Sequence, residues 1–202
     1  MKLAHTPSSP WVRRVLVAAA ELGLDDRIEK VAMDHRDEAG EYAGINPLLK
    51  VPSLILDDGT VLIDSTAISE YLDMLHDGPK LFPPAGESRV RAMQLQMLVN
   101  GMQEAATRCV GENVRRPEEL RWPAFYDKQA NKIRRGLDRL EQMVVRLDGG
   151  PDYTAISAGV LCGFLDFRFS DTEWREGHPN LAGWYGVFAE RPSMRASEHS
   201  LS

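Results

Sequence analysis

The sequence predicts an α/β domain followed by an all-helical domain. Up to about residue 77, short apolar runs of strand length alternate with amphipathic helical patterns. A segment rich in proline and glycine then interrupts the pattern, and after it only long helical periodicities occur. We therefore predict a first domain over residues 1–77, a linker over 78–86 and an all-α helical bundle over 87–202.

Composition favours a globular protein that acts on a small molecule. The chain has 202 residues, of which 43% are apolar, and this is enough for a packed core. Its 30 acidic and 24 basic residues give a net charge of −6, which argues against nucleic acid or an anionic membrane as a partner. The sequence contains no long apolar leader and no apolar run of about 18 residues.

The two cysteines show no metal-binding or redox spacing. Cys109 and Cys162 lie far apart, each within a helical pattern, and neither belongs to a CxxC or Cys/His group. We expect them to be buried thiols in a reducing compartment, and we predict a cytoplasmic protein without a metal.

The N-terminal region predicts a strand, a capped helix and a second strand. Lys2–His5 has strand character, Ser9 suits the N-cap position, and Pro10 suits the first helical turn. Gly23 is placed to end that helix, and residues 28–33 form the next apolar run.

The stretch from Asn46 to Leu75 predicts a hairpin followed directly by a helix. Pro52 stands at the start of one short strand, and Asp58-Gly59 forms a two-residue loop before the next. Asp64, Ser65 and Thr66 are N-cap residues ahead of a helical apolar pattern.

This junction predicts a site for the zwitterionic head of an amino acid. The free N–H groups of the helix N-terminus and the Ser65 hydroxyl suit a carboxylate, while Asp64 suits an ammonium group. Beside Pro52, the Val51 backbone could pair with an extended peptide. The alternative is that Asp64 and Ser65 only cap the helix and that Lys50 is a solvated charge.

The block NPLLKVPSLILDDGTVLIDSTAISEYL resembles the glutathione-binding core of the glutathione S-transferases. The resemblance implies a thioredoxin-like first domain in which Pro52 is cis and the Val51 backbone pairs with the cysteinyl unit of glutathione. It implies that Asp64 and Ser65 hold the γ-glutamyl group and that Lys50 lies near the glycyl carboxylate. Two residues of the preceding polar loop are further candidates for that carboxylate, His35 and Arg36.

The segment SSPWVRRV resembles the first-helix motif of serine-type members of the family. The resemblance assigns thiol activation to Ser9, four residues before Arg13, with Ser8 as the competing candidate; Ser9 also has the ordinary role of a helix cap. Because SPWV contains no cysteine, dithiol exchange at this position is excluded.

The resemblance implies a homodimer that conjugates its co-substrate, reduced glutathione, to a small hydrophobic electrophile. Two alternatives stay open: a non-catalytic glutathione-binding or regulatory protein, and a glutathione-dependent peroxidase or reductase. The tail segment HPNLAGWYGVFAERPSMR extends the likeness to the family's closing helix.

The helical domain is expected to carry the hydrophobic substrate side. Met97, Met102 and Cys109 are candidates to line it, although such residues more often belong to the core or to a dimer interface. The buried central helix is expected over residues 155–169, and Thr154 followed by Ser157 departs from the family's capping pattern.

Overall fold

The computed structural model describes residues 1–33 and 40–201 in two compact units. The first unit consists of Met1–Phe82 together with the segment from Pro192 onward, and the second consists of Pro83–Arg191. Within the described residues, no helix combines the length and apolar character needed to cross a membrane.

The first unit is built on a mixed four-stranded sheet. Its strands are β1 (Lys2–His5), β2 (Glu29–Ala32), β3 (Ser53–Ile55) and β4 (Val61–Leu62), in the spatial order β2-β1-β3-β4. β1 runs parallel to β2 and antiparallel to β3, and β3 runs antiparallel to β4. Leu3 and Leu54 are fully buried at the centre of the sheet.

Helices α1 (Pro10–Glu21) and α3 (Ser65–Met74) pack against each other, and a short α2 spans Glu41–Ile45. Their predicted starts are confirmed, because Ser9 and Asp64 occupy the N-cap positions. Gly23 follows α1 with φ +66°, a conformation that favours glycine and ends the helix as predicted.

The hairpin loop contains three residues, and the predicted two-residue loop is wrong. The N–H of Leu56 donates to the carbonyl of Thr60 at 2.8 Å, and the N–H of Gly59 donates to the carbonyl of Leu56 at 3.0 Å. Gly59 adopts φ +87°. The carboxylate of Asp58 accepts the N–H of Thr60 at 2.9 Å, which favours this longer turn with a bulge at glycine.

Every regular element in residues 83–191 is helical. The main helices are α4 (Glu87–Val110), α5 (Pro123–Glu141), α6 (Tyr153–Arg168) and α7 (Pro179–Phe188). α4 packs on both α5 and α6. α6 is buried from Tyr153 through Leu165 and forms the centre of the unit, as the all-round apolar pattern predicts.

The sequence predicts a long helix that runs to Gly149-Gly150 and a central helix over residues 155–169, and the structure differs at one end of each. α5 ends at Glu141, and a separate 3-10 turn covers Val144–Leu147. At the start of α6 the cap is Asp152, whose carboxylate accepts the N–H of Ala155 at 2.7 Å, so Thr154 lies inside the helix. Buried Ser157 instead accepts a hydrogen bond from the side chain of Gln96 at 2.9 Å.

The two cysteines are free and buried, as predicted. Desolvation raises the pKa of both thiols, that of Cys109 to about 11. Met102 is also buried, whereas Met97 is exposed. Met97 therefore does not share a buried face of α4 with Met102 and Cys109.

Glu141 caps α7 from the end of α5. Its carboxylate accepts hydrogen bonds from the N–H and side-chain amide of Asn180, at 2.9 and 2.7 Å, and from the N–H of Leu181 at 2.7 Å. Desolvation alone would raise the pKa of Glu141, but these bonds outweigh it and the pKa lies below its ordinary value.

We expect Glu141→Gln to lower the melting temperature at pH 7 by about 2–4 °C, the effect of losing a helix cap of roughly 1 kcal/mol. A depressed carboxyl pKa stabilises the fold above the unfolded-state pKa of about 4.3, and that contribution is lost as the pH falls through the folded-state value. The melting temperatures of the variant and the wild type should therefore converge as the pH falls. Glu119→Gln, at an exposed position, is the control. If Glu141→Gln still melts below the wild type at a pH under about 3, the Glu141 carboxylate is not the cap of α7.

Helix α8 (Pro192–Arg195) belongs to the first unit. Buried Arg13 donates from Nη2 to the carbonyl of Met194 at 2.9 Å, and Ser193 donates from its hydroxyl to Glu21. The sequence-based division assigned all of residues 87–202 to the helical domain, but these contacts join α8 to α1.

Candidate functional site

Sheet topology brings three predicted segments to one edge of the first unit. The register Ala4 opposite Ser53 places the end of β1, which leads to Ser9, beside the start of β3, which follows Val51 and Pro52. The register Leu62 opposite Leu54 places the end of β4, which leads to Asp64, on the other side of the same strand start. Because neighbouring strands lie about 4.8 Å apart, the three segments are adjacent.

A buried polar network fixes the backbone at the centre of this edge. The hydroxyl of Tyr42 donates to the carbonyl of Lys50 at 2.6 Å, and the side chain of Asn46 donates to the same carbonyl at 2.7 Å. Both side chains also contact the buried hydroxyl of Ser53, at 2.8 and 3.1 Å. The network positions the backbone that leads into Val51.

Sequence reasoning missed this role of Tyr42 and Asn46. From the sequence alone, Asn46 before Pro47 indicates only a turn, and Tyr42 lies in a polar stretch typical of a loop. The only sequence signal was a large aromatic residue four positions before an Asn-Pro pair.

Val51 offers an unpaired backbone. The Val51–Pro52 peptide bond is cis, as the resemblance implies, and the bond between Ile63 and Asp64 is cis as well. Within the described part of the chain, neither the N–H nor the C=O of Val51 has a hydrogen-bond partner. Both groups are therefore free to pair with an extended ligand.

The N-terminus of α3 carries a buried hydroxyl without a partner. Ser65 is 0% exposed, and its Oγ has no hydrogen bond with any described residue. Asp64 is exposed, and its Oδ1 accepts the N–H of Thr66 at 2.9 Å. Capping by Asp64 leaves its second carboxylate oxygen free, and the buried Ser65 hydroxyl stands without a described partner at the positive end of the helix.

Ser9 caps α1 while keeping its own proton. Its Oγ accepts the N–H of Val12 at 3.3 Å, so the hydroxyl hydrogen can be donated to another group. Ser8 has no side-chain hydrogen bond with a described residue, and both serines are half-buried. Arg13 donates to the carbonyl of Met194, so its guanidinium serves local packing.

Lys50 is exposed and forms no ion pair with a described residue, so its ammonium group is available to an anion. The other candidates for that anion, His35 and Arg36, lie outside the described residues. Among residues 1–33 and 40–201, no cluster of three or more His, Cys, Asp or Glu side chains could hold a metal ion. The absence of a metal stays a prediction.

Comparison with known proteins identifies the family. The family described as "Glutathione S-transferase, N-terminal domain" matches residues 8–75, and "Glutathione S-transferase, C-terminal domain" matches residues 123–186. A crystal structure of a glutathione transferase family member from Pseudomonas fluorescens Pf-5 with bound glutathione is 39% identical, covers 99% of both chains and superposes with a TM-score of 0.94. The chain belongs to the glutathione S-transferase family.

Two curated relatives of this glutathione S-transferase family member differ in what their names describe. The uncharacterized GST-like protein YibF of Escherichia coli K12 is 28% identical over 203 residues, covering 98% of each chain. The maleylacetoacetate isomerase of Pseudomonas aeruginosa is 36% identical over 104 residues, covering 49% of this chain and 48% of its own.

The two family matches and the similar crystal structure also confirm the predicted fold, a thioredoxin-like domain with a helical domain.

Proposed function

We propose that this protein is a glutathione transferase that joins the thiolate of reduced glutathione to a small hydrophobic electrophile. The observation that carries the proposal is the meeting of three features at one sheet edge: the capped start of α1, the unpaired backbone of Val51 and the buried free hydroxyl of Ser65. The relative from Pseudomonas fluorescens binds glutathione, which supports the same ligand here.

The tripeptide lies extended along the backbone at Val51 and Pro52. Its γ-glutamyl carboxylate receives hydrogen bonds from the N-terminus of α3 and the Ser65 hydroxyl, and its ammonium group pairs with Asp64. Lys50 binds the glycyl carboxylate. Holding both ends of the peptide places the cysteinyl sulfur in one position, which makes its reaction with a second substrate effectively local.

Ser9 supplies the hydrogen bond that stabilises the thiolate. The thiol proton is released to solvent, the Ser9 hydroxyl donates to the sulfur, and the positive end of α1 adds to the effect. Each unit by which the thiol pKa falls below about 8.5 needs roughly 1.4 kcal/mol of preferential thiolate stabilisation. The sulfur then forms a bond with the electrophilic carbon, and the leaving group departs with the electron pair of its bond.

The helical unit provides the hydrophobic substrate side. Three large apolar side chains are more than 60% exposed between the end of α4 and the start of α5, and they are Val114, Leu120 and Trp122. Exposed apolar side chains of this kind can bind the apolar part of an aryl or alkyl electrophile. The free cysteines fit a cytoplasmic location.

The test combines calorimetry with reduced glutathione and a panel of electrophiles. Saturable binding and turnover of an aryl halide such as 1-chloro-2,4-dinitrobenzene would support conjugation. Binding without turnover would favour the non-catalytic alternative, and turnover of cumene hydroperoxide alone would favour the peroxidase. No binding at millimolar glutathione would end the proposal.

Isomerisation is a second candidate, favoured by the similarity to the maleylacetoacetate isomerase. It uses the same thiolate: sulfur adds to an activated double bond, the resulting single bond rotates, and sulfur leaves again. Consumption of a cis-enedione without net loss of glutathione would distinguish this reaction from conjugation.

A homodimer is part of the proposal and is supported by an apolar stripe on α4. Val90, Met93 and Met97 are all exposed and recur at helical spacing on one face. We expect sedimentation to give about twice the chain mass of 22.6 kDa. Met97→Asp should shift the protein to monomer because it places a charge in an apolar contact, whereas Val187→Asp, at an exposed position of α7, should not.

If the wild-type chain sediments as a monomer, or if both variants behave alike, the α4 stripe is not the dimer contact.

A further inference from the structure

The helical unit contains a cavity of about 500 Å³, and none of the residues proposed to bind glutathione lines it. It lies among α4, α5, the end of α6 and residues 172–178. Its volume falls within the range of small-molecule sites, roughly 300–1,000 Å³. Its apolar walls come from Cys109, Ile133, Leu137, Leu165, Phe169 and Trp174.

Hydrogen bonds tie the wall formed by residues 172–178 to the neighbouring helices. Trp174 donates from its indole nitrogen to Asp166 at 2.7 Å, and Arg175 donates to both oxygens of the same carboxylate at 2.6 and 2.8 Å. Buried His178 lies between the carbonyl of Trp174 and the carboxylate of Asp138, which is 3.1 Å from Nε2. The cavity is therefore preformed, and a ligand does not have to order its walls.

The charges at this cavity favour a cation. Three carboxylates line it, those of Asp127, Glu173 and Glu176, and none forms an ion pair with a described residue. The guanidinium that lines it, on Arg134, lies 3.6 Å from Asp138 and is partly neutralised there. Tyr126 and Phe169 also line the cavity, and aromatic rings are side chains that can attract a cation.

The thiol in the wall acts as an apolar group. Because desolvation raises the pKa of Cys109 to about 11, the sulfur is protonated at neutral pH and is a poor nucleophile. Desolvation also raises the pKa of Tyr126, whose phenol therefore stays neutral. A ligand is held here without a covalent bond.

We propose that this cavity is a binding site for a small aromatic cation, with the ring system against the apolar walls and the positive charge toward Asp127, Glu173 and Glu176. None of the residues assigned to glutathione lines the cavity. The proposed cation site therefore does not depend on the proposed transferase activity.

Fluorescence titration of the full chain with three probes of one shape tests the proposal. N-methylacridinium carries a positive charge, acridine is neutral, and acridine-9-carboxylate is negative. We expect N-methylacridinium to bind at least tenfold more tightly than acridine, and the carboxylate to bind more weakly than either. Equal binding of all three probes, or none, would overturn the assignment.

Two variants locate the site. Glu173→Gln with Glu176→Gln should weaken N-methylacridinium about tenfold and leave acridine unchanged, because only the charge is removed. Ala130→Trp should abolish binding of both probes, because Ala130 lines the cavity at a half-buried position of α5. Unchanged affinity in either variant would contradict the proposal.

Matched controls separate these effects from general ones. Glu118→Gln with Glu119→Gln removes two exposed carboxylates from the same unit, and Ala124→Trp places a tryptophan on an exposed position of α5 outside the cavity. Both should bind the probes as the wild type does. Thermal melts establish that each variant is folded, and a loss of cation binding in the controls would show that the attraction is not specific to this cavity.

Discussion

Ser9→Ala is expected to lower kcat/KM for glutathione conjugation by about 10- to 100-fold. It should also return the thiol pKa of bound glutathione toward about 8.5. A hydrogen bond to a charged group contributes roughly 1.5–3 kcal/mol, which corresponds to this range. Thiolate absorbance against pH gives the pKa, and initial rates with an aryl halide give kcat/KM.

The alanine variant also removes a helix cap, so a second substitution is needed. Ser9 accepts the N–H of Val12, and loss of an N-cap costs about 1 kcal/mol of stability. Aspartate caps a helix about as well as serine, but it has no proton to donate and brings a negative charge near the sulfur. Ser9→Asp should therefore keep the melting temperature and lose the activity.

Ser8→Ala is the matched comparison, because Ser8 has no capping role and no described side-chain hydrogen bond. It should leave the thiol pKa and the rate close to wild type. If Ser8→Ala abolishes turnover while Ser9→Asp retains it, the two serines exchange roles and Ser9 is only a cap.

Asp64→Asn should weaken glutathione binding about 10- to 100-fold, measured by titration calorimetry. The amide oxygen can still accept the N–H of Thr66, so the cap of α3 survives, but the charge that pairs with the ligand's ammonium group is gone. Asp58→Asn is a close control because Asp58 accepts the N–H of Thr60 at the same 2.9 Å and the same spacing, away from the site.

Ser65→Ala also removes a group proposed to hold the γ-glutamyl end of glutathione, but its effect on stability should differ from that of Asp64→Asn. Its buried hydroxyl has no partner, so its removal is expected to leave the melting temperature of the free protein unchanged or higher. Glutathione affinity should nevertheless fall about tenfold. A variant that is less stable and binds normally would show that the hydroxyl serves the fold and not the ligand.

Local patterns carried much of the fold and the candidate site. Ser9 and Asp64 were identified as caps because capping depends on residues within three positions of each other. The register of β1 and β3 was not predictable in this way, since it depends on pairing across some fifty residues of chain. The hydrogen bonds from Tyr42 and Asn46 to Lys50 likewise arise only after the chain has turned back.

The structure differs from the prediction where two local signals compete. Asp58-Gly59 is a strong two-residue loop signal, but the Asp58 side chain bonds to Thr60 and lengthens the turn. Asp152 and Thr154 are both good caps, and the resemblance to the family indicates the later one. The structure uses Asp152, which adds Tyr153 and Thr154 to the buried helix.

The contacts of α8 with α1 determine when the first unit can finish folding during translation. Residues 1–82 leave the ribosome before residues 83–194, so the pairing of Arg13 with Met194 cannot form until more than a hundred further residues have been translated. The helical unit, by contrast, is one continuous stretch of chain. During synthesis we therefore expect the unit that carries the proposed glutathione-binding residues to begin folding early and to gain α8 only after the helical unit has been made.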